Sequence, residues 1–251
     1  MSSPENNTQR VLDYYDRVLQ RGEITQLDQY FHPHFIQHHP QIDPGLEGLS
    51  TYLRVSGQWT HHIHRQLVDG DWVALHSEAR SEAFPPSAAW GLYRLVDGKI
   101  VEYWHNLQPL PQKSVSGRSP LDGPRTVADR EQTAENKALV ERFYRNVIVA
   151  GNFAAVDPYF DGDRYWQHNA LLPDGVAGFR KTMQAMALTG MGIQIQKVHL
   201  ILGEGNFVLV LAEGTMVGKS YWTYDLFRVE QGKIVEHWDV MAEIPNRGAR
   251  Q

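Results

Sequence analysis

One stretch of the chain is written twice. Trp90-Gly91-Leu92-Tyr93-Arg94-Leu95-Val96-Asp97-Gly98-Lys99-Ile100-Val101-Glu102-Tyr103-Trp104-His105-Asn106 returns near the C-terminus as Tyr224-Asp225-Leu226-Phe227-Arg228-Val229-Glu230-Gln231-Gly232-Lys233-Ile234-Val235-Glu236-His237-Trp238-Asp239-Val240. Gly-Lys-Ile-Val-Glu-x-Trp recurs without a gap, and Arg94 is answered by Arg228. The likeness extends upstream: Val11, Tyr15, Val18, Gly22 and Phe31 align with Val140, Tyr144, Val147, Gly151 and Phe160. After a one-residue slip Gln37-His38 aligns with Gln167-His168, and Gly45 and Gly48 with Gly175 and Gly178. Solenoids repeat every few tens of residues, so a period this long marks a duplicated domain. The 251 residues then hold two units of ordinary size, each able to bury its own core. The expected boundaries are 1–110 and 130–251, joined by 111–129, which is rich in Pro, Ser and Gly and reads as an extended linker.

Within each copy the pattern runs from helical to strand-like. Ser3-Pro4-Glu5 reads as a cap followed by proline in the first turn, and Val11, Tyr14, Tyr15, Val18 and Leu19 keep helical spacing up to Gly22. A short helix from Ile24 to Phe31, a turn at His32-Pro33-His34, an extended Phe35 to Pro40 and a helix from Gly45 to Trp59 follow. Four strands then run from His61 to Gln108, broken at Asp69-Gly70-Asp71, Pro85-Pro86 and Asp97-Gly98. The second copy repeats this order, its strands lying between Ile193 and Ala242. Three helices followed by a curled antiparallel sheet is an α+β layout in which a pocket opens between helices and sheet.

Alternation along the last strand places Val235, His237, Asp239 and Met241 on one face and Ile234, Glu236, Trp238 and Val240 on the other. An imidazole and a carboxylate about 6–7 Å apart therefore flank the same space among apolar neighbours. Burial raises a carboxylate's pKa and strengthens it as a base, while a nearby imidazolium pulls the other way. Trp104 and Trp238 read as packing residues, and Glu102 and Glu236 as partners of Arg94 and Arg228. The histidines at 32, 34, 38, 39, 61, 62 and 64 invite a metal reading, but no carboxylate spacing completes a site, and no metal is expected.

The formal charge of −5 gives no footprint for nucleic acid or an anionic membrane. No apolar run reaches spanning length, and the first residues lack a signal-peptide pattern, so the expected setting is soluble and cytoplasmic. With no cysteine, thiolate chemistry and disulfides are excluded.

Phe160 followed by Gln167-His168-Asn169, the Gly175-x-x-Gly178 helix start and Tyr224-Asp225-Leu226-Phe227-Arg228 through Glu236-His237-Trp238-Asp239 together resemble the SnoaL-like polyketide cyclases, which have a nuclear-transport-factor-type cone fold. That fold is also similar to ketosteroid isomerase and limonene-epoxide hydrolase. The likeness spans the second copy nearly end to end and the first more loosely. It implies two tandem cones that pack as a pseudo-dimer within one chain and can assemble further, a small apolar carbonyl-containing substrate, and no cofactor. It implies Asp239 as general base with His237 as its partner, and His168, Asn169, Asp225 and Tyr144 as substrate-binding residues. The first copy departs where chemistry is expected: Gly91, Tyr103, His105 and His39 stand where the second has Asp225, His237, Asp239 and Asn169. Its candidate pocket holds His38, His105, Tyr103 and Tyr15, where a histidine can serve as base in place of the missing carboxylate. The readings left open are an enzyme of proton abstraction beside a carbonyl (cyclisation or isomerisation), a non-catalytic binder of apolar ligands, and an epoxide-hydrolase-like enzyme.

Overall fold

The computed structural model describes residues 4–39 and 41–245. The expected cap at Ser3, Pro40, and the tail beyond residue 245 lie outside them. The chain divides into two compact units, one within Met1–Leu110 and the other spanning Pro111–Ile244.

In the first unit, α1 (Pro4–Tyr14) runs into a π-helical turn, Tyr15–Gln20, and α2 (Leu27–Tyr30) leads into β1 (Phe31–Gln37). There follow α3 (Gly45–Ser56), β2 (Thr60–Asp69), β3 (Trp72–Arg80), β4 (Ser87–Val96) and β5 (Lys99–Pro109). The second unit repeats this with α4 (Thr133–Phe143) and the π turn Tyr144–Val149, β6 (Trp166–Gln167), α5 (Val176–Thr189), β7 (Gln194–Glu204), β8 (Phe207–Met216), β9 (Lys219–Glu230) and β10 (Lys233–Ile244). The sheets have the orders β1-β5-β4-β3-β2 and β6-β10-β9-β8-β7.

Three details differ from the sequence expectation. Each sheet is mixed rather than wholly antiparallel, because β1 and β6 add to its edge parallel to β5 and β10. His32-Pro33-His34 belongs to β1 rather than to a turn; a sheet edge tolerates a residue without an N–H, and the register with β5 shifts across it. The alternation along β10 is interrupted: Ile234 pairs with Val229 but Glu236 with Arg228, so Val235 is an extra residue on its strand. The bulge puts Ile234, not Val235, into the core beside Phe227 and Val229. Past the bulge His237, Asp239 and Met241 keep their common face.

Both β-hairpins that carry the repeated motif turn with two consecutive positive φ angles, 49° and 75° at Asp97-Gly98 and 50° and 70° at Gln231-Gly232. This is the turn whose twist suits adjoining strands. Each unit buries its own core between helices and sheet: Val11, Tyr14, Val18, Leu49 and Leu53 pack on Val73, Tyr93 and Ile100 in the first, and Val140, Phe143, Val147 and Phe179 on Val208, Phe227 and Ile234 in the second.

On the opposite face of the second sheet, the segment before α4 lies as a strap. Val115 N–H bonds Ala170 O, Ser116 Oγ donates to Gln167 O (2.7 Å), and Trp238 Nε1 donates to Asp122 O (2.8 Å). The stretch expected to be a linker thus belongs to the second unit's own framework.

Candidate active site in the second unit

Between α4, α5 and the sheet of the second unit lies a cavity of about 130 Å³. A single water needs only about 10–15 Å³ by the same measure. The space is therefore an open pocket, not a collapsed core. Its walls are apolar: Phe143, Ile148, Leu172, Phe179, Ile195 and Phe227, with Met183, Met186, Met191, Met216 and Met241. The polar groups at the wall are Tyr144, Tyr165, Asn169, Thr223, Asp225, His237 and Asp239.

These converge because four elements deliver them in register. Asp239 on β10 pairs directly with Asp225 on β9, and His237 with Phe227. The parallel edge strand β6 sets Gln167 against His237. The π turn in helix α4 begins at Tyr144, as its counterpart begins at Tyr15, and such turns tend to occur where a side chain is aimed at a site.

The hydrogen bonds form a chain. Tyr144 hydroxyl donates to Asp225 Oδ2 (2.8 Å), and His237 Nε2 meets Asp225 Oδ1 (3.2 Å). His237 Nδ1 meets Gln167 Oε1 (2.9 Å). Asn169 Nδ2 donates to Asp239 Oδ2 (2.6 Å), and Asn169 Oδ1 is itself fixed by Leu171 N–H (2.7 Å). Both carboxylates line the cavity and are partly exposed, but Asp225 has both oxygens engaged by side chains, whereas Asp239 is held by a side chain at one oxygen only.

Burial raises the pKa of Asp239 above the ordinary carboxylate value, and the nearby Asp225 adds to the rise; His237, the Asn169 bond and a backbone bond pull it down without winning. Tyr144 is pushed well above its usual range by burial and by Asp225, so it stays a neutral hydroxyl. The result is a pocket with a carboxylate tuned toward basicity beside fixed N–H and O–H donors.

Of the residues expected at this site, Asp239, His237, Asn169, Asp225 and Tyr144 come together. His168 does not: it is fully buried on the other face, its Nε2 at 2.8 Å from Glu236 Oε1 and its Nδ1 at 2.7 Å from Ser119 O of the strap, with its ring stacked on Trp238. Glu236 there also accepts from Arg228 Nε (2.7 Å). His38 has the same place in the first unit, 3.1 Å from Glu102 Oε1, stacked on Trp104 and away from the first core. Adjacent strand residues face opposite ways, so Gln167 and Asn169 share the cavity side and His168 cannot. Of the cavity methionines, alternation places only Met241 beside His237 and Asp239; Gln167, Tyr165, Thr223 and the other four carry no such signal, except that alternation around His168 points to Gln167.

In the first unit His105 and Tyr103 do lie on the inner face, with Tyr15, but the room beside Gly91 is occupied. Tyr93 hydroxyl donates to Tyr15 hydroxyl (3.1 Å), and a Cβ at Gly91 would lie 2.6 Å from the Tyr15 oxygen and 2.7 Å from that of Tyr93. The room that Asp225 takes in the second unit is here taken by two hydroxyls. Burial, with His39 and His61 nearby, drives the His105 pKa well below its usual value, and burial lowers His39 and His61 to about 4. Among the described residues no three His, Asp or Glu side chains are placed to hold a metal ion.

The model of the SnoaL-like domain family matches residues 11–103 and 140–237, one match in each half, the second ending two residues before Asp239. No curated protein matches the chain in sequence. Similar solved structures include a protein of the NTF2-like class, of unknown function, from Cytophaga hutchinsonii (19% identity, 41% of this chain and 90% of that one, TM-score 0.37). Another is a candidate SnoaL-like polyketide cyclase from Jannaschia sp. CCS1 (21%, 43% and 90%, TM-score 0.37). A third is an epoxide hydrolase from M. tuberculosis that resembles limonene-epoxide hydrolase (16%, 41% and 84%, TM-score 0.36).

Proposed function

Since the chain belongs, in both of its halves, to the family of SnoaL-like domains, we propose that its second cone is the active site of an enzyme that removes a proton beside a carbonyl of a small apolar substrate. The observation that carries this reading is Asp239: a carboxylate raised by burial, bonded by Asn169 and turned to an apolar cavity. A base works best when its pKa is moved toward the working pH, and burial does this here.

In this reading Asp239 takes the proton from the carbon, and the C–H electron pair moves onto the carbonyl oxygen as an enolate. His237 N–H and Tyr144 O–H, which meet Asp225 in the free protein, are the donors nearest to hand for that oxygen. Asp225 holds both in place in the free protein, and each turns from it to the substrate oxygen as the enolate forms. The enolate carbon then attacks a second carbonyl and Asp239 returns the proton to the new alkoxide, or the proton returns at another carbon. The first outcome is an aldol-type ring closure and the second an isomerisation.

Hydrolysis of an epoxide finds less support. It calls for a cation beside the carboxylates to activate the substrate oxygen, and Arg228, the candidate, is bound to Glu236 on the other face.

The test is Asp239→Asn, assayed against a panel of apolar carbonyl compounds by deuterium exchange at the acidic carbon and by product formation. The expected loss in kcat is about 10²–10⁴-fold, the usual contribution of general base catalysis, with ligand binding retained. Undiminished exchange in the variant refutes the assignment. Binding by the native protein without exchange or product from any compound points to a non-catalytic binder.

A further inference from the structure

The chain has six methionines, of which the first is Met1. The other five, Met183, Met186, Met191, Met216 and Met241, all line the one cavity that also holds Asp239. None of the five is buried: Met191 is 56% exposed and the other four are partly exposed. They come from α5, the turn after it, β8 and β10, so no single helical stripe accounts for the grouping.

A thioether is an apolar, adaptable wall until it is oxidised, when it becomes a polar, chiral sulfoxide. With no cysteine in the chain, these sulfurs are also its readily oxidised side chains. We propose that the methionine lining is a modification site through which peroxide closes the cavity to apolar ligands. The sulfur lone pair attacks one peroxide oxygen. An S–O bond forms as the O–O bond breaks, and the leaving hydroxide takes a proton to become water. Sulfur loses two electrons and the peroxide gains them. Each sulfoxide oxygen then brings a strong, hydrated acceptor to the apolar wall, which disfavours apolar ligands.

This inference rests on the cavity being a ligand site, as in the preceding reading, but not on its catalysis. The 251-residue chain is treated with hydrogen peroxide, the sulfoxides are mapped by peptide mass spectrometry, and binding of the neutral apolar dye Nile red is titrated before and after. Expected are sulfoxides at Met183, Met186, Met216 and Met241 as well as Met191, and affinity weaker by about tenfold or more. An unchanged far-ultraviolet spectrum and recovery with methionine sulfoxide reductases complete the expected result. The variant with all five replaced by leucine should bind the dye and keep that affinity after peroxide; if it does not fold, Met191→Leu and Met241→Leu, singly, should each blunt the loss.

Oxidation of the inner four with affinity unchanged to within about twofold overturns the proposal. So does oxidation confined to Met1 and Met191, global unfolding on treatment, or no dye binding by the untreated protein. A protein that binds the dye, loses it on oxidation and turns nothing over sinks the catalytic reading alone.

Discussion

Asp239 illustrates how one residue trades stability for chemistry. Its pKa is raised in the folded state, chiefly by burial, so the native protein holds this proton more tightly than the unfolded chain does. The sign follows from linkage: ionised Asp239 costs folding free energy above its folded pKa, and the cost disappears below the unfolded value near 3.9. Asp239→Asn should therefore melt above the native protein at pH 7 to 8, with the gap closing as pH falls toward 4. Thermal unfolding across that range checks this, and a gap that widens toward acid would contradict it. In the active protein kcat/KM should rise with pH through a value above the ordinary carboxylate range. At this scale the sequence was informative where alternation alone decided, as for His237 and Asp239. For His168 the family resemblance misleads, because it carries Gln167-His168-Asn169 over as one element, although neighbouring side chains on an extended strand must part to opposite sides. The second contact of His237, on Gln167, depends on register between strands distant in sequence, and the pairing of Asp225 with Asp239 depends on the bulge within their hairpin; neither is fixed by a local pattern.

At the level of elements, the bulge and the strap decide most. Most helices and strands could be read from periodicity and glycine turns to within a residue or two, although β1 starts at Phe31 rather than Phe35 and α3 ends at Ser56 rather than Trp59. The bulge at Val235 could not, because a single extra residue leaves the hydrophobic alternation nearly intact in sequence while shifting which neighbour enters the core. Nor could the strap be recognised, since a stretch of Pro, Ser and Gly without periodicity bonds through its backbone. Gly123 shows how closely it is fitted. Its φ is +91°, and a Cβ there would lie 2.8 Å from Glu236 Oε1 and from Trp238 Cζ2. Gly123→Ala should cost about 1–3 kcal/mol, the range for overfilling a packed site. Chemical denaturation measures the loss, and limited proteolysis should find new cleavage within residues 111–129. Unchanged stability with no added cleavage would show that the strap is not held as tightly as its bonds imply.

Across the whole molecule, duplication produced two units with like frameworks and unlike interiors. Arg94, Glu102, His38 and Trp104 on the outer face of the first sheet reproduce Arg228, Glu236, His168 and Trp238 on that of the second. Inside, the first unit has Tyr15 and Tyr93 hydroxyls where the second has open space and Asp225. Calorimetric titration with a ligand of the second cone should accordingly give one site per chain, and two equal sites would show that the tyrosine hydroxyls beside Gly91 leave the first unit able to bind as well. The repeated motif made the doubling plain in sequence, and the Gly91 and Asp225 difference hinted at the asymmetry. Which tyrosines would move into the vacated room required three-dimensional packing. The strap carries one more consequence, for anyone who would split the gene in two. A break just before the helix that starts at Thr133 would look natural from the repeat alone, yet it would strip Trp238 and His168 of Asp122 O and Ser119 O. The fragment would then expose an indole and an imidazole on bare sheet, an invitation to aggregate, whereas a break ahead of Pro111 hands the second half its own cover.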